Sequence, residues 1–285
     1  MRLPASSQRL SVTKTLFNSV TRHELEQYVK QLPGSMLLTG DEGVGLTAAA
    51  EYLASSTKAV VSTVLPEKDE KIDLEKGTIT VDSIRKLYEL TKTKQPKGRV
   101  VIIDYAERMG KPAQNAFLKL LEEPGVGTHF MLLTHQPHEL LPTILSRVQR
   151  IDVRPVTKQQ SEELLDGLKV RDDRQRAQLL YIATGLPAEL TRLVNDTKYF
   201  TQRTDLIKDA REYVVGNSYA RLLIAKKYKD DRQQALLLLT DAMRLLKTTI
   251  ANGGAETSIV TIDRLVTLYG RIKGNGNIRL QLASL

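Results

Sequence analysis

Arg99-Val100-Val101-Ile102-Ile103-Asp104 opens a stretch, continuing to Arg150, whose reading decides the fold. Four β-branched residues in succession suit a strand buried on both faces of a parallel sheet. A carboxylate directly after such a strand falls at the sheet's carboxyl edge, where open α/β sheets bind their ligands. Pro112 and Pro124 bracket Ala113-Gln114-Asn115-Ala116-Phe117-Leu118-Lys119-Leu120-Leu121-Glu122-Glu123, which predicts a short helix. His129 to Thr134 reads as a second buried strand that ends at His135-Gln136-Pro137. Leu140 to Leu145 reads as another short helix, followed by Ser146-Arg147-Val148.

Upstream, Arg22 to Leu32 predicts a helix capped by Thr21, with Leu25, Tyr28, Val29 and Leu32 on one face. Residues 1–34 are otherwise polar. Ser35 to Thr39 is a further buried strand and runs into Gly40-Asp41-Glu42-Gly43-Val44-Gly45-Leu46-Thr47. This has the layout of a P-loop, GxxxxGK followed by Ser or Thr. In such a loop backbone N–H groups cradle phosphates, lysine reaches the β/γ oxygens and the hydroxyl holds magnesium. Gly40, Gly43, Gly45 and Thr47 are in place, but Leu46 stands at the lysine position and cannot offset a triphosphate's charge. The loop then reads either as a tight turn whose glycines serve backbone geometry or as a weak nucleotide site. Ala48 to Ala54 continues as helix, Ala59 to Val64 is a strand, and Glu67 to Glu75 reads as an exposed charged loop.

Thr80 is the expected N-cap of the next helix. Arg85, Lys86, Lys92, Lys94, Lys97 and Arg99, against Glu89 alone, make the following stretch the most basic in the chain. It reads as a solvated face or as a phosphate contact. Arg150 to Val153 is the last strand, and Pro155-Val156-Thr157 marks a boundary, with Thr157 capping a helix to Leu168. Gln175 to Ala183 and Leu190 to Asn195 are helical, and from about Phe200 the chain looks wholly so. Ala235, Leu238, Leu239, Ala242, Leu246 and Ile250 form one stripe; Asn252-Gly253-Gly254 stops that helix. Ile259, Ile262, Leu265, Val266 and Tyr269 form the next stripe.

The 285 residues exceed the usual size of one domain, so two or three are expected. Forty-one per cent hydrophobic and 26% charged residues describe a globular chain, with no run of the length that spans a bilayer and no signal-type apolar start. A cytoplasmic protein without membrane contact is the expectation. No cysteine is present, which excludes disulfides, thiolate nucleophiles and cysteine zinc sites, and the four histidines are scattered, so no metal is expected. A net charge of +9, spread along the chain, fits transient contact with nucleic-acid phosphates or ordinary solvated surface. Aromatic residues at 5%, with no tryptophan, argue against a base-stacking single-strand binder.

In this order and spacing, Asp104, Asn115 to Pro124, Phe130 to Pro137 and Leu145-Ser146-Arg147 resemble the bacterial clamp-loader AAA+ subunits. There the blocks read approximately as a Walker B aspartate, "NALLKTLEEPP", "FLLATTDP" and "ILSRC". Leu74 to Leu87 resembles the family's "EKGxIxIDxIRxL", and Gly274 to Leu282 resembles its "NxNxxLxLExLL" ending. The resemblance implies an AAA+ P-loop-type parallel sheet with helices on both faces (residues 1–155), a small helical lid (156–200) and an all-helical collar (201–285). It also implies a pentameric loader within the DNA polymerase III holoenzyme, a DNA-directed DNA polymerase. Partners would be ATP-hydrolysing gamma/tau-type subunits, a delta subunit, the ring-shaped sliding clamp and primer–template DNA.

The chain departs from that family where phosphate chemistry is done. Besides Leu46, Tyr105 follows Asp104 where active members carry a glutamate, and Glu107 is two residues further on. Thr134 falls at the sensor-1 position, with a strand-end cap as its plain alternative. In Gly185-Leu186-Pro187-Ala188-Glu189, Pro187 or Ala188 stands where relatives place a sensor-2 arginine. The four-cysteine zinc module of many relatives is missing. Arg147 matches the arginine that the family gives in trans to the neighbouring subunit's nucleotide, against a structural ion pair as the competing account. At the helix start that faces DNA in that family, Thr78 and Thr80 stand where ATP-hydrolysing relatives often carry basic side chains, and with Arg85 they are the candidate DNA phosphate contacts. The expectation is a non-hydrolysing scaffold and arginine-finger donor with no cofactor of its own, ATP being bound by its partners. The alternative is an autonomous AAA+ ATPase acting on DNA replication or repair intermediates.

Overall fold

The computed structural model describes residues 16–74, 76–93, 95–251 and 257–285. The polar N-terminal stretch before residue 16, Glu75, Lys94 and the helix stop at Asn252-Gly253-Gly254 lie outside them. Packing divides the chain into one unit up to Val194 and a second, Asn195–Leu285.

The first unit is built on a five-stranded parallel sheet: β1 (Ser35–Thr39), β2 (Val60–Val64), β5 (Arg99–Ile103), β6 (Thr128–Thr134) and β7 (Gln149–Asp152). Their spatial order is β2-β5-β6-β1-β7, all parallel. β3 (Glu67–Lys68) and β4 (Lys71–Ile72) form a separate antiparallel pair. The helices are α1 (Ser19–Val29), α2 (Leu46–Ser55), α3 (Val81–Lys92), α4 (Lys111–Glu122) and α5 (Pro142–Leu145), followed by α6 (Lys158–Gly167), α7 (Asp173–Ala183) and α8 (Pro187–Asn195).

Because strand side chains alternate between faces, each strand feeds two cores. Met36, Leu38, Val100, Ile102, Met131 and Leu133 pack with Leu25, Leu46, Ala49 and Leu53 from α1 and α2. Leu37, Val101, Ile103, Phe130 and Leu132 point the other way, against Ile84 and Leu87 of α3 and Phe117 and Leu120 of α4. Phe117 and Phe130 meet edge to face at 5.3 Å. Burial on both faces explains why these strands read as continuous apolar runs. The edge strand β2 is only partly covered, and Val60 and Val61 are exposed.

Several local expectations shift. α1 is capped by Asn18, whose side-chain oxygen accepts from the Val20 N–H, and not by Thr21, which is buried and accepts from the Arg154 N–H at 2.9 Å. The charged stretch after Glu67 is a hairpin rather than a loop. Asp69 and Glu70 both take positive φ, the requirement of a tight two-residue hairpin turn. Arg99 drops out of the basic stretch, because it starts β5 between β2 and β6 and is 4% exposed. The helix before Arg147 begins at Pro142, with Leu141 in the cap position. Thr80 and Thr157 cap as expected, the latter in a reciprocal box with Gln160.

The second unit is helical: α9 (Thr197–Val215), α10 (Ser218–Lys227), α11 (Arg232–Ala251), α12 (Thr257–Lys273) and α13 (Ile278–Ala283). Ala235, Leu238, Leu239, Ala242 and Leu246 are buried together, as the stripe predicts. On α12 the buried line is Leu265, Leu268 and Ile272, while Ile259 and Val266 are exposed. Arg203 and Asp241 form a buried ion pair at 2.8 Å between α9 and α11, and the Tyr213 hydroxyl donates to the Leu282 carbonyl at 2.7 Å. Among the described residues no helix is long and apolar enough to cross a membrane.

Candidate functional site

The carboxyl edge of the sheet collects most of the residues singled out in the sequence. β1 delivers Gly40 to Thr47, β5 delivers Asp104, and β6, lying between them, delivers Thr134. Leu46 begins α2 but turns inward: it is 4% exposed and belongs to the core formed with α1 and α2. Its Cδ2 lies 3.5 Å from where a Cβ on Gly40 would sit, so the side chain is held by apolar contacts and carries no charge for a phosphate.

The top of the loop is covered by α8. The N–H groups of Ala188 and Glu189, in the first turn of α8, both donate to the Gly43 carbonyl, at 2.9 and 3.2 Å. Gly43 has φ +86°, and a Cβ built on it would come within 2.7 Å of the Glu189 Cβ. Its glycine is therefore required twice, for backbone conformation and for the close approach of α8. Helix N-terminal donors that elsewhere meet an anion here meet the loop's own carbonyl.

The polar side chains beneath are paired with one another. The Thr47 hydroxyl donates to Asp104 Oδ2 at 3.2 Å, and the Tyr105 N–H donates to Asp104 Oδ1 at 2.9 Å. The Thr134 hydroxyl, fully buried, donates to Glu107 Oε2 at 2.6 Å and accepts from the Gln136 N–H at 3.1 Å. Glu107 thus meets Thr134, a contact that the spacing of the two residues did not reveal. His135 Nδ1 lies 2.8 Å from the Gly40 carbonyl, and its ring meets Tyr105 edge-on. Burial raises the Asp104 carboxyl above the usual aspartate range, opposed by the bonds from the Tyr105 N–H and Thr47. Tyr105 is also raised, by burial and then by Asp104, Glu42 and Glu107; Arg192 opposes this. Arg192 is exposed on α8 one turn beyond Ala188, a cation near the site that a search at the expected position passes over. Its spacing of four residues on one helix face is the signal that would have found it.

Arg147 is elsewhere. It precedes β7 and lines an open cavity of about 420 Å³ with Gly34, Ser35, Leu121, Pro124 and Gln149, at the amino edge of the sheet. Five residues of strand, roughly 16 Å at 3.3 Å each, separate that edge from Gly40 and Asp104. Arg147 Nη2 pairs with Glu122 Oε1 at 3.0 Å, and Nη1 donates to the Thr143 carbonyl at 3.1 Å. Glu122, at the end of α4, was not foreseen as its partner. Arg150 pairs instead with Asp152 at 2.9 Å. Gln114, also unforeseen, is buried: its amide nitrogen donates to the carbonyls of Met109 and Glu139, and its oxygen accepts from the Leu141 N–H.

Thr78 and Thr80 are exposed at the start of α3. The Thr80 hydroxyl caps the Ser83 N–H at 3.3 Å, and Arg85 pairs with Asp82 at 3.1 Å with both side chains about three-quarters exposed. An anion in the first turn, Asp82, stands among the donors that would meet a phosphate. Among the described residues no group of histidine, aspartate and glutamate has the geometry of a metal site.

Residues 58–157 match the family described as DNA polymerase III, delta subunit. Over 178 residues the chain is 34% identical to the DNA polymerase III subunit delta' of Pseudomonas aeruginosa, spanning 61% of this chain and 51% of that protein. The chain is thus similar to DNA polymerase III delta-prime proteins. The Bacillus subtilis delta' protein is 28% identical over 217 residues, 69% of this chain and 62% of the relative. The chain thus spans between about half and two thirds of these delta-prime relatives. The crystal structure of a gamma subunit-related protein of DNA polymerase III from Thermotoga maritima has the same fold, with a TM-score of 0.53 at 20% identity over 91% of this chain and 95% of that one. The parallel sheet with helices on both faces and the helical C-terminal region thus share the fold of that gamma subunit-related protein.

Proposed function

We propose that this chain is a non-hydrolysing, delta-prime-like subunit of a cytoplasmic clamp loader that supplies Arg147 in trans to a neighbouring subunit's ATP. The observation that carries this reading is the position of Arg147 at the amino edge of the sheet, with its own P-loop-like turn at the opposite edge. An exposed guanidinium so placed is out of reach of its own loop but can serve a nucleotide held by another chain, where it can stabilise charge on a transferring γ-phosphoryl group. The inward Leu46, the lid helix bonded to Gly43 and the internal pairing of Asp104 and Glu107 support the absence of turnover here. The subunit would carry no cofactor and take part in loading a sliding clamp onto primer–template DNA, with the start of α3 (Thr78, Thr80, Arg85) towards the DNA backbone. Residues 201–285 would serve as the collar that joins the subunits. Exposed Tyr219, Leu222 and Leu223, three and four residues apart on α10, suit burial in an assembly.

The test is Arg147→Ala in a complex reconstituted with the ATP-hydrolysing and delta-type subunits. Folding should be spared, with stability within about 0.5 kcal/mol of wild type, because an exposed side chain leaves no cavity. DNA- and clamp-stimulated ATPase should fall. Trans arginines are worth on the order of 10³–10⁵ in rate at their own site, but the ensemble loss should be far smaller, since other sites keep their own fingers. Arg147→Lys should rescue only in part, lacking the planar fork. Unchanged hydrolysis in a normally assembled complex would overturn the trans role, and ATP turnover by the isolated wild-type chain would overturn the non-hydrolysing one.

A further inference from the structure

The ion pair at the amino edge bears on when Arg147 can act. Glu122 is the last residue of α4, and its carboxylate meets Nη2 at 3.0 Å. Nη1 donates to the Thr143 carbonyl on α5 and lies 3.4 Å from the Ser146 hydroxyl. A guanidinium grips phosphate best through two parallel N–H groups. Here both terminal nitrogens already have partners, one of them an anion. The same carboxylate offsets the cation's charge and would repel an arriving polyphosphate. Yet the side chains are 40% and 55% exposed. Pairs of that kind are held weakly and open readily, so this one restrains the arginine without locking it.

We propose that Glu122 is a positioning residue that parks Arg147 against the end of α4 until the polyphosphate of a neighbouring subunit's nucleotide competes it away. The inference rests on the trans reading above and adds a threshold to it. A parked finger makes engagement depend on how closely and how often the neighbouring nucleotide is presented. The carboxylate therefore acts on the apparent affinity for ATP more than on the rate at saturation, where the phosphate always wins.

The experiment is an ATP titration of the reconstituted complex carrying Glu122→Gln, which keeps the shape and loses the charge. The expected result is a rise in hydrolysis at subsaturating ATP of up to about fivefold, the range open to an exposed pair, with little change at saturation. The gain should shrink at high salt, where the wild-type pair is already screened. Glu123→Gln, the adjacent carboxylate, should behave as wild type, and Glu122→Gln combined with Arg147→Ala should match Arg147→Ala alone. Unchanged or reduced hydrolysis in Glu122→Gln, in a complex that Arg147→Ala slows, overturns the parking and leaves the trans finger standing. A complex indifferent to Arg147→Ala overturns the finger itself, and the parking with it. A gain that persists in the double variant also overturns it, since the effect would not pass through Arg147.

Discussion

At the carboxyl edge of the sheet, Asp104, Glu107, Thr47 and Thr134 hydrogen-bond with one another and with nearby backbone, and α8 packs against Gly43. At the amino edge of the same sheet, Arg147 is exposed and tied by a solvent-accessible ion pair. The first edge has the outline of a nucleotide site, with Thr134 fully buried, Asp104 and Glu107 half-buried and Thr47 exposed. The second has no motif-like loop but carries a charge free to change partners. The difference is one of exposure: buried polar groups must be satisfied internally, whereas an exposed cation in a solvent-accessible pair can exchange partners.

The largest effect that would test this contrast is Leu46→Lys, which restores the motif residue. Because Leu46 is buried among apolar side chains, the change should destabilise the fold by about 2–3 kcal/mol, from lost apolar burial and an ammonium forced toward the surface. It should confer no ATP hydrolysis. Chemical denaturation together with an ATPase assay decides it, and a stable, hydrolysing variant would erase the distinction between the edges.

Next is Thr134→Val. The substitution removes the donor to Glu107 and the acceptor of the Gln136 N–H in a fully buried position, so a loss of about 1–3 kcal/mol is expected. The same measurement on Thr143→Val, exposed at the amino edge, should give a change near zero. Equal losses would mean that the two edges are not built differently.

The smallest effect is a pH dependence at Asp104. Burial raises its carboxyl, so the folded state keeps this proton to higher pH than the unfolded chain does. The group's contribution to stability is most favourable below the ordinary aspartate value of about 3.9. It then falls as pH rises through that value to the folded one, above which the ionised form is a constant cost. Asp104→Asn should remove this slope. Wild-type stability measured against the variant should decline across that acid window, while carboxylates common to both cancel. Parallel curves would mean that Asp104 is not desolvated, and that the carboxyl edge is more open than its hydrogen bonds indicate.

Much of this was open to reading along the chain, and the parts that were not share a cause. The strands around Val100 to Ile103 and His129 to Thr134, the α4 helix between its prolines and the caps at Thr80 and Thr157 depend on periodicity and neighbours within four residues. Asn18 displaced Thr21 as a cap because Thr21 was needed by Arg154, a partner 133 residues away. The α12 stripe was misjudged at Ile259 and Val266 because an apolar period does not say how wide a face its neighbours cover.

The sequence by itself determined the fold class, the strands of the parallel sheet, the defect at Leu46 and the candidacy of Arg147, since each is written in local pattern or residue type. Only the tertiary structure decided that Glu107 reaches Thr134, that α8 bonds to Gly43 and that Glu122 holds Arg147. These contacts join residues far apart in the chain, and whether two such side chains meet depends on how sheet and helices pack in three dimensions, a quantity that no local period or spacing encodes.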